Sequence, residues 1–180
     1  RLRILYCGRL IPLKGVDFLI RALAGWSATT DFLLDVVGDG PERARAERRL
    51  VELGLEQHVH FAGNRRDVAD LLRCSDLMLL PSEIESFGLA ALEAMSCGVP
   101  VIAAQVGGLE ELIQHGTNGF LAPSGMIDEM ARFVLELLDD DQRRESFRRA
   151  ARETAQTRWR ADPIIDLYDA CYQRTLALGR

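Results

Sequence analysis

Short continuous apolar runs that alternate with helical stretches constrain this chain more than anything else in it. Residues 4–7, Phe32–Val37, Val59–Gly63, Leu77–Leu80 and 99–104 each read as a strand, and Gly119–Ala122 as a sixth, short one. Runs of Ile, Val and Leu without polar alternation belong to strands buried on both faces. Between them lie segments of helical period: residues 15–26, a charged helix running through Leu53 and stopped by Gly54, residues 67–74, and a helix opening near Ser86 and Phe87. Such alternation gives a parallel sheet covered on both sides. The expected fold class is therefore α/β, a doubly wound parallel six-stranded sheet. After Pro123 the pattern is wholly helical, at residues 128–138, at 142–157 with Phe147 inward, and at 164–178. The last helix has Asp162 as its N-cap and Pro163 in its first turn. Trp159 falls at the joint of the last two, where an aromatic side chain can pin a change of direction.

With 180 residues, 48% of them apolar and 27% charged, the chain suits one soluble domain with a sizeable core. A net charge of −5 argues against nucleic acid as a partner. No apolar run approaches the roughly 20 residues of a spanning helix, so no transmembrane segment is expected. Cys7, Cys74, Cys97 and Cys171 are scattered, with no CxxC and no nearby His at ligand spacing. That pattern favours reduced, mostly buried thiols in a cytoplasmic protein over a disulfide or zinc framework. His58, His60 and His115 are too dispersed for a metal site. No signal peptide precedes the first strand, and a chain that runs from Arg1 almost directly into it reads as a piece of something longer.

In open α/β sheets, ligands bind beyond the carboxyl ends of the strands, so the loops there are the candidates. The first holds Gly8-Arg9-Leu10-Ile11-Pro12-Leu13-Lys14-Gly15, two cations flanked by glycine. Taken alone it reads more readily as a solvated charged loop. The second, Gly38-Asp39-Gly40-Pro41, lacks the third glycine of a GxGxxG motif and reads better as a tight turn. The fourth is PSEIESFGLAALEAM, beginning at Pro81. A helix starting near Ser86 and Phe87 leaves the amides of Phe87, Gly88 and Leu89 without intrahelical acceptors, an arrangement that binds phosphate. Gly88 has no Cβ to obstruct close approach. Leu89 and Leu92 supply the apolar spacing, which puts Glu93 on the flank of the helix. Glu93 can accept from both hydroxyls of a ribose, and Glu85, an acceptor only, suits hydroxyl donors. The bland readings are a surface acid for Glu93 and an acid favoured by the helix N-terminus for Glu85. Gly107-Gly108, opening a further helix, is either another phosphate contact or a plain tight turn. Sugar hydroxyls, diphosphate and ribose diol together describe a nucleotide sugar.

The stretches GRLIPLKGVDFLIRAL, VVGDGPE, SDLMLLPSEIESFGLAALEAMSCGVPVIAAQVGGLEELI and NGFL stand in the order seen in retaining glycosyltransferases of family 4, which the chain resembles. The resemblance implies the C-terminal, donor-binding half of a two-domain GT-B enzyme, with a Rossmann-like sheet and extra C-terminal helices. It implies that Arg9 and Lys14 hold the diphosphate, that Glu85 holds donor sugar hydroxyls and Glu93 the ribose, and that backbone around Gly8, Ser86, Phe87, Gly88 and Leu89 contributes. Asn64-Arg65-Arg66 would lie beside the base. Arg9, Lys14 and Glu85 are then the catalytic group, the two cations stabilising the departing diphosphate where other folds use a metal, and no cofactor is implied. The partner is a nucleotide diphosphate sugar, most simply a UDP sugar, with an acceptor held by an N-terminal domain outside this chain. SDLMLLPSEIESFGL looks like the subtype that transfers N-acetylglucosamine to L-malate. Gln105, in place of the usual Asp or Asn, and Glu110, where Pro is common, depart from the pattern.

A nucleotide-sugar epimerase of the same fold and a non-catalytic nucleotide-sugar sensor are the competing expectations. A phosphorylase would need a cofactor-anchoring lysine, and Lys14 is the single lysine in the chain. The apolar face of the last helix is also a candidate for self-association.

Overall fold

A computed structural model describes residues 1–26 and 31–178. Six strands, β1 (Leu2–Cys7), β2 (Phe32–Val37), β3 (Val59–Gly63), β4 (Leu77–Leu80), β5 (Val101–Ala104) and β6 (Gly119–Ala122), form one sheet in the order β3-β2-β1-β4-β5-β6. Every pairing in it is parallel. The helices are α1 (Val16–Trp26), α2 (Arg43–Glu52), α3 (Val68–Arg73), α4 (Leu89–Ser96), α5 (Leu109–Leu112), α6 (Ile127–Leu138), α7 (Asp141–Arg158) and α8 (Ala161–Leu178).

The strands are apolar on both faces because both faces are covered. Ile4, Tyr6, Leu34, Val36, Leu79 and Ile102 point into one core, shared with Leu19, Leu23, Leu50 and Phe133. Leu5, Val37, Met78, Leu80, Val101 and Ala103 point into the other, against Leu72, Ala91, Ala94, Leu112 and Ala151. This doubly wound arrangement is the one the alternation predicts. Phe147 is buried, as expected of an inward residue.

Several boundaries move for physical reasons. Strand β5 begins at Val101 rather than 99, because Pro100 has no N–H for the ladder; its carbonyl instead accepts from the Met78 amide. Helix α8 begins at Ala161, so Asp162 lies inside the first turn, paired with Arg160, and is not the N-cap. The thiols are not mostly buried: Cys74 and Cys171 are exposed, Cys7 and Cys97 half-buried, and none is in a disulfide. Cys74 caps the end of α3 at the surface. Cys171 sits on α8, where Ile165, Leu167, Tyr168, Tyr172 and Leu176 are also exposed.

Candidate functional site

The strand order reverses between β1 and β4, and their carboxyl ends open on one edge. After β1 the chain makes a 3-10 turn, Pro12–Lys14, ending on Gly15 at φ 70. A Cβ on Gly15 would stand 2.5 Å from the Pro81 carbonyl oxygen, so only glycine lets the two loops touch. The Glu83 amide donates to the Leu13 carbonyl at 2.8 Å, and beyond it Lys14 Nζ meets Glu85 Oε2 at 2.5 Å. The side chains of this pair are only 25% and 17% exposed. Two of the three residues expected to be catalytic are thus brought together across the switch point.

Arg9 stands apart from them. It is exposed, and its guanidinium has no hydrogen-bond or ion-pair partner among the described residues. Its backbone is braced from below by Tyr6, whose hydroxyl lies 3.5 Å from the Arg9 carbonyl and 3.4 Å from that of Lys14. Burial, then the neighbouring Cys7 and Glu85, push the Tyr6 phenol pKa well up, so it remains a neutral donor. Gly38 and Gly40 serve the same loop by contact. A Cβ on Gly38 would stand 2.0 Å from the Gly8 oxygen and one on Gly40 2.3 Å from the Leu10 oxygen, so glycine at both lets the β2 loop pack on the β1 loop.

The β4 loop corrects one expectation. Helix α4 starts at Leu89, not near Ser86 and Phe87, and Gly88 caps it at φ 92. Phe87 is therefore outside the helix, and the first-turn amides without intrahelical acceptors are those of Gly88, Leu89, Ala90 and Ala91. Gly88 is required for its left-handed backbone and because a Cβ would meet Leu109 Cδ2 at 2.6 Å. The buried face of α4 is Ala91, Ala94 and Met95, and Leu89 is 66% exposed. Small side chains are needed there because α4 lies against Ala151 and Ala155 of α7. Glu93 is exposed on the other side, where it lines a groove of ≈ 600 Å³ with Leu89, Leu92, Arg66, Val68 and Cys97.

That groove shares Val68 with a hollow of ≈ 260 Å³ lined by Cys7, Gly8, Arg9, Asp39, Asn64 and Arg65. Arg65 is held there by a two-pronged bond to Asp67, at 2.8 and 2.6 Å. The bond raises the guanidinium pKa and lowers that of Asp67. Burial, then the charge of Glu93, raise the thiol pKa of Cys7. The hollow and the groove adjoin at Val68, so the crevice between the β1 loop and α4 is made of two hollows side by side. Ser86 is exposed on the same edge. Sequence reasoning missed Tyr6, Cys7, Asp39 and Val68, although Tyr6 and Cys7 lie just before the loop it singled out.

The β5 loop does not offer its Gly108 amide. The Gly108 N–H donates to the Glu85 carbonyl at 3.3 Å. A Cβ on Gly107 would stand 1.9 Å from that oxygen, and one on Gly108 2.5 Å from Phe87 Cα. The pair is a tight turn that clamps the β4 loop, and α5 behind it has four residues. Gln105 and Glu110, the two departures from the resembled pattern, hydrogen-bond to one another at 3.1 Å. Among the described residues no group of three or more His, Cys, Asp or Glu could hold a metal ion, and no helix is long and apolar enough to cross a membrane.

Residues 1–154 match the family of glycosyl transferases group 1. The chain belongs to that family. Among curated members it is 40% identical over 163 residues to N-acetyl-alpha-D-glucosaminyl L-malate synthase of Bacillus anthracis, covering 91% of this chain and 43% of that protein. It is 37% identical over 182 residues to D-inositol 3-phosphate glycosyltransferase of Jonesia denitrificans, covering 96% and 43%. The solved structure of Anabaena HepE in complex with UDP superposes with a TM-score of 0.91 at 32% identity, covering 97% of this chain and 49% of that one. The chain spans about half the length of these relatives, and its Rossmann-like sheet is the GT-B one.

Proposed function

We propose that this chain is the donor-binding half of a retaining glycosyltransferase of family 4, transferring a sugar from a UDP sugar to an acceptor hydroxyl. The Lys14–Glu85 pair at the switch point carries the reading. A cation suited to a leaving diphosphate and an acceptor-only carboxylate suited to sugar hydroxyls stand side by side where an α/β sheet binds its ligand. UDP-N-acetylglucosamine is the favoured donor, because the 40% identical relative is named for N-acetylglucosaminyl transfer and the neighbouring HepE structure holds UDP.

In this reading the base lies in the hollow by Asn64 and Arg65, and Glu93 accepts from the ribose hydroxyls. The diphosphate spans from Gly8, Arg9 and Lys14 to the free amides at the start of α4. The anomeric C–O bond breaks, its electron pair leaves with the diphosphate, and the acceptor oxygen bonds to the same face of the sugar and gives its proton to the departing phosphate oxygen. Arg9 and Lys14 stabilise the charge that develops on the leaving group, a contribution worth about 10²–10³ in rate for one such group. A diphosphate reaching Lys14 competes with Glu85 for the ammonium, so donor binding exchanges one partner of that pair for the other.

The acceptor is held by residues outside this chain, on a domain toward which α8 leads; the apolar face of α8 also suits contact with a second copy. Four unpaired thiols fit a reducing, cytoplasmic setting. Titration calorimetry with UDP and with uridine tests the cation roles. Arg9→Ala and Lys14→Ala are each expected to weaken UDP at least tenfold and uridine hardly at all, the difference being one charge-assisted contact of about 1.5–3 kcal/mol. Equal losses for both ligands would sink the assignment.

A further inference from the structure

The β4 loop is clamped on one side by Gly107 and Gly108, and what meets it on the other side comes from the far end of the chain. Helix α7 runs along α4 and ends on Trp159, its C-cap. The Trp159 ring stands edge-on to Phe87, with centroids 5.3 Å apart and planes at 69°. Phe87 lies two residues from Glu85 and directly before the left-handed Gly88. The indole Nε1 of Trp159 is buried without a hydrogen-bond partner. The ring is therefore held by packing alone, and no polar contact fixes where it lies. Beyond it, α8 departs with its apolar residues exposed, so packing on this domain does not set the direction in which it leaves.

We propose that Trp159 is a positioning residue that ties the placement of the Glu85 loop to the α7–α8 elbow. It acts through Phe87, so whatever holds α8 in the whole protein also biases how Glu85 meets the donor sugar. Glu93 does not hang on Phe87: it sits within α4, whose place is set by Ala91, Ala94 and Met95 packing with Ala151 and Ala155 along the length of α7. The inference rests on the donor-site reading and sharpens it: Trp159 matters for the sugar and not for the nucleotide.

Trp26→Phe leaves Trp159 as the remaining indole, since the chain has two tryptophans. In that background UDP-N-acetylglucosamine is expected to shift the Trp159 emission more than UDP does, and Phe87→Leu to abolish the difference. Trp159→Leu should lower affinity for the UDP sugar by about two- to twelvefold, the worth of one aromatic pair, while UDP affinity stays within twofold. Trp159→Phe, which keeps an aromatic edge, should restore the difference. If Trp159→Leu does not fold, the emission measurement decides alone, and identical responses to UDP and to its sugar overturn the proposal. Equal losses for both ligands, or none for either, overturn it too. Failure of the unsubstituted chain to bind UDP at all would instead remove the donor-site reading on which the proposal stands.

Discussion

The loops after β4 and β5 both place glycine ahead of a helix at the same edge of the sheet, yet they spend their amides differently. After β4, Gly88 turns the chain through a left-handed conformation and leaves the first amides of an eight-residue helix without acceptors. After β5, the Gly108 amide is already bonded to the Glu85 carbonyl, and Gly107 touches the same oxygen more closely than any side chain would allow. One loop presents a surface and the other supports it. A glycine before a helix thus points to a ligand only where the amides that follow are not already used within the protein.

The contrast is broken most severely by Gly107→Ala. Alanine at φ 51 carries left-handed strain of about 1–2 kcal/mol, and its Cβ would press on a backbone oxygen that cannot rotate away. The melting temperature should fall by at least about 4 °C. Binding of the UDP sugar should suffer more than binding of UDP, because the displaced atoms belong to Glu85. An unchanged melting temperature would show that the β5 loop is not a clamp.

On the presenting side, Glu93→Ala should weaken UDP by about ten- to a hundredfold, the worth of hydrogen bonds from the ribose to a charged acceptor. Calorimetry that finds UDP binding intact would return Glu93 to the surface acid of the bland reading. Glu85→Gln separates the two halves of the ion pair. It should strengthen UDP modestly, by about two- to fivefold, because a partly exposed pair is worth about 0–1 kcal/mol and Lys14 is released from it. The same variant should narrow the advantage of the UDP sugar over UDP.

The smallest expected effect concerns Cys7. Its thiol pKa is raised by burial and then by Glu93, so less thiolate is present at any given pH and alkylation is slow. Glu93→Gln removes the second cause, lowers the thiol pKa and should speed alkylation of Cys7 by a few-fold at pH 8, with exposed Cys74 as internal standard. No acceleration would mean that the Glu93 carboxylate does not face the crevice.

The doubly wound parallel sheet was legible because its strands, buried on two sides, cannot alternate, and that signal is local. Lys14 and Glu85 were each singled out by a neighbouring glycine and a coming helix, but their contact was not legible, since it depends on which strands adjoin. The face of α4 was misread for a related reason. Leu89 looks like core by its chemistry, whereas the alanines that pack were chosen by the closeness of α7, a helix more than 40 residues further on. Clamp and phosphate site look alike in Gly107-Gly108 until the β4 loop is seen lying on them.

The ion pair that closes the site joins residues 71 positions apart, and the strands beneath them are similarly distant neighbours in the sheet. Closing a loop over such a span costs more chain entropy than pairing β1 with its nearer partner β2. A collapsed chain with β1, β2 and β3 paired already holds Arg9, Lys14 and Arg65, but it has no Glu85 or Glu93 opposite them. In the proposed donor-site reading, selectivity for a sugar nucleotide would require that long-range pairing, which would make ligand discrimination, more than secondary structure, the measure of when this sheet is complete.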